Sequence, residues 1–434
     1  MAYKRQFACS CGRVHDGLLD EYLVESGAIG KLAHYVKKYG GSKVFVLCDK
    51  NTFAAAGQQV VAALENDGID HSLYMLPGEH VHPDEQAMGS VALHYDHSCD
   101  MVVGVGSGVI NDLGKMISAI AKVPYIIVAT APSMDGYASS TSSMDVDGWK
   151  VSLKSRCANV VIGDTEVLKN APKRMMISGL GDMLAKYVSI CEWRCAQEIV
   201  DEYYCEEVAS MVRQALKKCT DNAAGLLKGE DAAVEAVFEG LIISGVAMSY
   251  VGISRPASGV EHYVSHVLDM RNLEFGTPTD LHGIQCGLAT RYAVKLYEKL
   301  RQMKPDREKA LRHAADFSKE AWNETLRALL GRGAEAMIAA EEKDGKYDPT
   351  NHAIRLERIL ERWDTLLQIM EEELPASAEL EALLDTIEAP KTLADIGVEE
   401  TLFPLIFRAT KDIRYKYVLS TLAWDMGVLE ELLK

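Results

Sequence analysis

The sequence predicts an α/β domain built on a mostly parallel sheet over residues 1–170, followed by an all-α domain over residues 171–434. Three observations carry this. Short runs rich in β-branched and aromatic residues alternate with stretches of helical spacing up to about Gly163. Those short runs are apolar almost throughout, as in strands covered on both faces. After Ala171-Pro172 the chain turns to long amphipathic runs with few glycines and few β-branched clusters.

The opening "FACSCGRVH" reads as a short N-terminal hairpin carrying ordinary thiols. Cys9, Cys11 and His15 also outline a metal knuckle, but C-x-C spacing and three ligands fall short of the usual four-ligand structural site. "KVFVLCD" from Lys43 is a strand ending at Asp49. "NTFAAAGQQVVAALENDG" follows with helical spacing, Asn51 as its cap and Gly68 as its stop. "HSLYMLPG" is the next strand and "HPDEQAMGSVALHYDHS" the next helix. "DMVVGVGSG" is a third strand running into glycines, "VINDLGKMISAIAKV" its helix, and "PYIIVATAPS" a fourth strand. "SSMDVDGWKVSLKS" carries a hairpin signal at Asp147-Gly148, and "ANVVIGD" gives one more strand. "LIISGVAMSYVGIS" from Leu241 reads as a buried helix, too short to span a membrane. The charged stretch from Gly331 to Ala378 reads as solvated helix faces, with "EEKDGKYDPTNH" as a surface loop.

The chain has 434 residues, 48% of them hydrophobic, enough for one large or two ordinary cores. Its formal net charge of −17 repels nucleic acid and anionic membranes at long range, so neither is an expected partner. The opening residues lack a signal peptide's apolar core, and ten cysteines in this length do not make a disulfide scaffold. Reduced thiols and a cytoplasmic location are expected. A homodimer or higher homo-oligomer acting on a small molecule is the expected working form.

Two stretches carry chemistry. In "GVGSGVINDLGK", Gly104, Gly106 and Gly108, with Ser107 between them, end a strand and open a helix. Backbone amides at a helix N-terminus bind phosphate, and glycine lets the phosphate approach. The spacing departs from G-x-G-x-x-G, since Val109 stands at the third glycine position, so a simple tight turn is the competing reading. Asp49 ends the first strand, where a carboxylate can accept from an adenosine ribose and repel a 2′-phosphate, or can cap the helix that follows. The second stretch, Ser258 to Gly283, holds His262, His266 and His282. On a helix, His262 and His266 share a face one turn apart. Imidazole is a common ligand for first-row metals, and Asp182 in "GLGDMLAKYVS" supplies a carboxylate with little bulk beside it. A metal site and a chance grouping both fit this spacing.

The sequence resembles the metal-dependent alcohol dehydrogenase and dehydroquinate synthase superfamily. Within it, it is most similar to the sn-glycerol-1-phosphate dehydrogenases, in particular their bacterial AraM-type branch. The motifs are "GVGSGVINDLGK", "ATAPSMDGYASSTSS", "GLGDMLAKY", "SRPASGVEHYVSHVLDM" and "LHGIQCGLAT", which with "CDKNTFAAAG" span Cys48 to Thr290. Beyond about Arg301 no motif is placed. The resemblance implies a dehydroquinate synthase-like architecture with a Rossmann-like first domain. It puts the metal ligands at Asp182, His262 and His282, and substrate contacts at His266, Asp135 and again Asp182. It puts nicotinamide-cofactor contacts at Gly108, Val109, Ile110, Asn111 and Asp112, at Thr130, Ala131, Pro132 and Ser133, and at Ser139, with Asp49 at the acidic strand end. The implied reaction is NAD(H)- or NADP(H)-linked reduction of dihydroxyacetone phosphate to sn-glycerol 1-phosphate, with nickel or zinc as Lewis acid. Lys154, Lys186 and Arg255 lie near the motifs as possible phosphate partners, against the reading of surface charges. The competing functions are a polyol or glycerol dehydrogenase, a dehydroquinate synthase-like lyase, and a non-enzymatic NAD-binding protein.

Overall fold

The computed structural model describes residues 3–79, 81–146 and 149–434. In chain order it begins with β1 (Gln6–Ala8), β2 (Val14–Asp16), β3 (Glu21–Glu25), α1 (Leu32–Lys38) and β4 (Lys43–Asp49). Next come α2 (Lys50–Thr52), α3 (Gln58–Asn66), β5 (Asp70–Leu76), α4 (Glu85–His94), β6 (Met101–Gly106) and α5 (Gly108–Ala121). β7 (Tyr125–Ala129), β8 (Thr141–Val146), β9 (Trp149–Lys154) and β10 (Val160–Asp164) complete the strands. Helices follow: α6 (Thr165–Leu168), α7 (Lys173–Leu184), α8 (Lys186–Val200), α9 (Glu206–Leu226), α10 (Asp231–Val251), α11 (Val260–Phe275) and α12 (His282–Leu300). Beyond Leu300 the described elements are all helical.

The chain divides into two compact units, Met1–Met183 with Glu207–Ile253, and Leu184–Glu206 with Ser254–Lys434. The boundary expected at Asn170 therefore falls inside the first unit, which also takes in most of α9 and all of α10.

The first unit holds a six-stranded sheet in the order β3-β10-β7-β6-β4-β5, every pair parallel. β6, β7 and β10 are buried along their whole length, which is why their sequences show no polar alternation. One face packs Val44, Val46, Met101, Val103, Ile126 and Val128 against Leu32, Val36 and Val60 of α1 and α3. From β4 the chain goes outward to β5 and then returns to β6 on the other side of β4. That reversal makes the carboxyl ends of β4 and β6 a topological switch point, where open α/β sheets bind ligands.

The expected strands at 43, 70, 101, 125 and 160 are present. The sequence reading missed β3, "EYLVE", an edge strand that is only half-buried and has a glutamate at each end. The helix after β4 is capped by Asp49, not Asn51: its side chain accepts from the Thr52 N–H at 2.8 Å and the Thr52 hydroxyl closes the capping box. A π-helical turn, Phe53–Gly57, joins α2 to α3, and Gly68 follows the helix at φ +67°. β8 and β9 form the expected antiparallel hairpin, while the turn residues Asp147 and Gly148 lie outside the described residues. The N-terminal hairpin β1–β2 is present with Phe7 opposite His15. α10 is longer than the sequence reading allowed: 21 residues, long and apolar enough by length and composition to cross a membrane, with most of that stretch buried.

The second unit is helical. Its α11 ends at Phe275 with Gly276 as the cap, and a loop to Leu281 leads into α12. Asp269 pins that loop, accepting from Thr279 and from Gln285 on α12. The charged stretch forms helices Gly333–Asp344 and Pro349–Glu373; of the loop expected over Glu341 to His352, only residues 345–348 lie between helices, and its two ends are helical. None of the ten cysteines is in a disulfide.

Candidate active site

In the first unit the candidate nucleotide residues gather at the carboxyl ends of the strands. Leu47 of β4 is level with Gly104 of β6, so Asp49 and Gly106 end neighbouring strands at the switch point. The glycines have different duties. A Cβ on Gly104 would strike the Tyr125 hydroxyl, which donates to Asn111 at 3.3 Å, so Gly104 is required for packing. At Gly108 a Cβ would meet only Met134, at 3.7 Å, so this turn keeps space. Ser107 precedes the 14-residue α5 but makes no side-chain cap; its hydroxyl lies 2.5 Å from that of Ser133 and 3.1 Å from that of Tyr137. The N-terminus of α5 thus has no side-chain cap from Ser107, and the turn is roomy, as a phosphate cradle requires.

Other expected nucleotide residues have protein partners. Asn111 is buried and donates to the Gly136 carbonyl at 3.0 Å. Asp112 pairs with the buried Lys115 at 2.8 Å, and Lys115 also donates to Ser139 and to the Thr141 carbonyl. Thr130 donates its N–H to the Gly106 carbonyl, which ties the loops after β6 and β7 together. Tyr137 donates to the Ala131 carbonyl and Ser178 to that of Ser133. Val109 is half-buried; Ile110 is buried beneath Gly106, where a Cβ would strike it.

Asp182 belongs to the same unit. It is fully buried on α7, and its Oδ2 accepts from the Asp135 N–H at 2.9 Å. The Asp135 carboxylate in turn accepts from Ser244 on α10 at 2.7 Å. The glycine at 179 explains this approach: a Cβ there would run into the Pro132 carbonyl oxygen, so only glycine lets α7 lie against that loop.

The second unit holds the histidines. His262 and His266 stand one turn apart on α11, and His282 opens α12. The His262 and His282 rings meet edge to face, with centroids 5.0 Å apart and planes at 66°. His262 Nδ1 lies 2.8 Å from Glu261 Oε1, and His282 Nδ1 lies 3.2 Å from Ser265 Oγ. The Glu261 carboxylate accepts the proton of His262 Nδ1 in a hydrogen bond and leaves that ring's Nε2 lone pair for a metal, while Ser265 holds the His282 ring in place. His266 is half-buried, and its ring centroid is 6.4 Å from that of His282 and 6.3 Å from that of Tyr263.

The sequence reading missed one member of this cluster. Cys286 is buried, with Sγ 3.6 Å from His282 Nε2, and His262, His282 and Cys286 each place a donor atom within 4.8 Å of the others. Burial raises the Cys286 thiol, but the two facing imidazoles more than offset it and bring it below its ordinary value. The signal was present in the sequence as His-x-x-x-Cys, which is one turn of a helix.

The possible phosphate partners divide. Lys154 is exposed. Lys186 is buried and donates to the Ala257 carbonyl at 3.0 Å. Arg255 is buried in a two-pronged pair with Glu202 and also donates to the Tyr417 carbonyl, so its guanidinium is engaged within the protein. Neither buried cation is the surface charge of the competing reading.

The fold is shared with the iron-containing alcohol dehydrogenase class. Residues 23–172 match the family described as iron-containing alcohol dehydrogenase. A solved 1,3-propanediol oxidoreductase superposes with a TM-score of 0.63 at 16% identity, covering 97% of this chain and 100% of that one, which speaks to the fold alone. The particular family follows from closer relatives. The glycerol-1-phosphate dehydrogenase [NAD(P)+] of Geobacillus thermodenitrificans is 33% identical over 289 residues, 66% of this chain and 72% of that protein. That of Bacillus velezensis is 31% identical over 306 residues, 68% and 77%. The chain belongs to the glycerol-1-phosphate dehydrogenase family.

Proposed function

We propose that the protein catalyses reversible NAD(P)H-dependent reduction of dihydroxyacetone phosphate to sn-glycerol 1-phosphate. The observation that carries the reading is the state of the family's motif positions: the His262 and His282 rings meet with both Nδ1 atoms engaged, in a chain 33% identical over 289 residues to such an enzyme.

Asp182, His262 and His282 are the proposed ligands of one divalent metal, nickel or zinc. Two imidazoles and a carboxylate suit several first-row ions, so the donor set fits either. When bound, the metal supplies Lewis acidity toward the substrate oxygens. The nucleotide supplies the hydride. The turn from Gly104 to Asp112, residues 130–133, Ser139 and Asp49 are the proposed nucleotide contacts, in a first domain devoted to that ligand. The Gly108 turn receives the pyrophosphate, and Asp49 accepts from the adenosine ribose through the carboxylate oxygen that its cap bond leaves over. His266 and Asp135 contact the substrate, and either one passes the proton that completes the product hydroxyl. The protein works as a homodimer or higher homo-oligomer.

The test is NADH oxidation by the metal-loaded protein with dihydroxyacetone phosphate and, separately, with dihydroxyacetone, alongside glycerol oxidation with NAD. Turnover at least tenfold better with the phosphate ester supports the reading. A preference for the unphosphorylated pair makes the protein a polyol dehydrogenase, and binding of NADH without its net consumption favours the lyase or the non-enzymatic reading.

A further inference from the structure

The first unit carries a second group of metal-competent side chains that the proposed reaction does not use. It sits on the N-terminal hairpin. β1 and β2 pair with Ala8 opposite Val14, and the loop between them holds Cys9, Ser10, Cys11 and Gly12. Gly12 adopts φ +85°, and its N–H donates to the Cys9 carbonyl at 3.1 Å, while the Cys9 N–H donates to the Arg13 carbonyl at 3.0 Å. This tight loop turns both thiols toward the strand that carries His15. Donor atoms of Cys9, Cys11 and His15 all lie within 4.8 Å of one another.

The details match a built site. Cys11 Sγ lies 3.4 Å from His15 Nε2. Zn–S of about 2.3 Å and Zn–N of about 2.0 Å at a tetrahedral angle set sulfur and nitrogen about 3.5 Å apart. His15 is fully buried, and its Nδ1 lies 2.9 Å from the Tyr250 carbonyl oxygen. A carbonyl accepts, so Nδ1 carries the proton and Nε2 keeps its lone pair on the side of the thiols. The Phe7 and Tyr250 rings pack on the imidazole at 5.0 and 5.9 Å and hold its plane. The Cys11 N–H points to Cys9 Sγ at 3.5 Å, a contact that favours the thiolate. Ser10, between the thiols, donates both its N–H and its hydroxyl to the Glu207 carboxylate, which anchors the loop to α9.

We propose that Cys9, Cys11 and His15 bind a zinc ion that fastens the N-terminal hairpin, separate from the metal of the catalytic histidines. Binding exchanges two thiol protons for two Zn–S bonds; the imidazole contributes its existing lone pair, and no electrons change hands.

Cys9 and Cys11 are the two cysteines of ten that are not buried, which gives a direct test on the native wild-type chain. The metal-free protein is treated with a coloured disulfide reagent, with and without stoichiometric zinc. Two fast-reacting thiols without zinc, both protected by zinc, are expected. The double variant C9S/C11S is then compared with wild type by elemental analysis after zinc loading and dialysis. One equivalent fewer zinc, with turnover on dihydroxyacetone phosphate retained, is expected. Unchanged thiol reactivity in the presence of zinc overturns the proposal without recourse to any variant, and so does an unchanged zinc content in C9S/C11S. Because the thiol assay needs no turnover, failure of the dehydrogenase reading leaves its result intact.

Discussion

His262 and His266 share a helix face, but the structure gives them different surroundings. His262 faces His282 and Cys286 with its Nδ1 held by Glu261, whereas His266 stands further off beside Tyr263. His262→Ala is therefore expected to lower metal content at least tenfold, with partial recovery of activity when metal is added back. His266→Ala is expected to keep its metal and lose rate and substrate binding instead. Elemental analysis paired with kinetics on dihydroxyacetone phosphate checks both; loss of metal in His266→Ala with retention in His262→Ala reverses the two roles. The pairing of the histidines was legible as a four-residue spacing. The outer partners were not, because Glu261 and Ser265 are ordinary helix residues until the fold aims them at the rings. Cys286 follows the same four-residue spacing from His282, but a buried cysteine on a helix reads equally as a small apolar core residue until the fold sets its sulfur against the two rings.

Elements place these residues, and two junctions can be tested. The first is the end of β4. Asp49 caps α2 and also ends the strand beside the glycine turn, so its competing readings are compatible. Asp49→Ser keeps a capping oxygen and removes the charge that repels a 2′-phosphate, so kcat/KM for NADPH relative to NADH is expected to rise with little change in stability. Asp49→Ala removes both, with a further cost of about 1 kcal/mol in urea unfolding. An unchanged cofactor ratio in both variants contradicts the ribose assignment. The second junction is α7 against the Pro132 loop. Gly179→Ala drives a Cβ into the Pro132 carbonyl and is expected to cost about 3 kcal/mol, with loss of activity through Asp182 three residues on. Wild-type stability and rate in this variant would show that the approach is not needed. The inner strands β4, β6, β7 and β10 were legible because burial leaves uninterrupted apolar runs. β3 was not, since half-burial at an edge permits charged ends. The Asn51 cap was misassigned because Asp49 lies two residues earlier, at the strand's last residue, and the sequence does not show where a strand stops and its cap begins.

At the scale of the whole molecule, the division into sheet and helices was legible, but the compact units cut the chain three times, after Met183, Glu206 and Ile253, which no composition shift reveals. The helical unit carries a buried pH-sensitive cluster in the region where no motif was found. Lys411 is buried beside Asp412 at 2.9 Å, over the Trp322 ring at 3.4 Å. Burial pulls its ammonium down to about 8, with Lys346 adding to the effect against the pull of Asp412. Between that value and the ordinary lysine value the unfolded chain holds the extra proton, so this group's contribution to stability rises as pH rises through that window and is flat below it. Relative to Lys411→Met, the wild type is expected to gain about 2 kcal/mol between pH 7.5 and about pH 9.5. Chemical denaturation of both proteins across that range checks it, and a difference that stays constant with pH contradicts the burial argument.

The proposed reaction turns dihydroxyacetone phosphate into one enantiomer of the phosphorylated alcohol. The most direct measurement is stereochemical analysis of the product formed by metal-loaded wild-type protein from dihydroxyacetone phosphate and NADH. The expected result is sn-glycerol 1-phosphate alone, in amounts equal to the NADH consumed. The 3-phosphate enantiomer, a racemate, or no phosphorylated alcohol despite a full complement of metal contradicts the account.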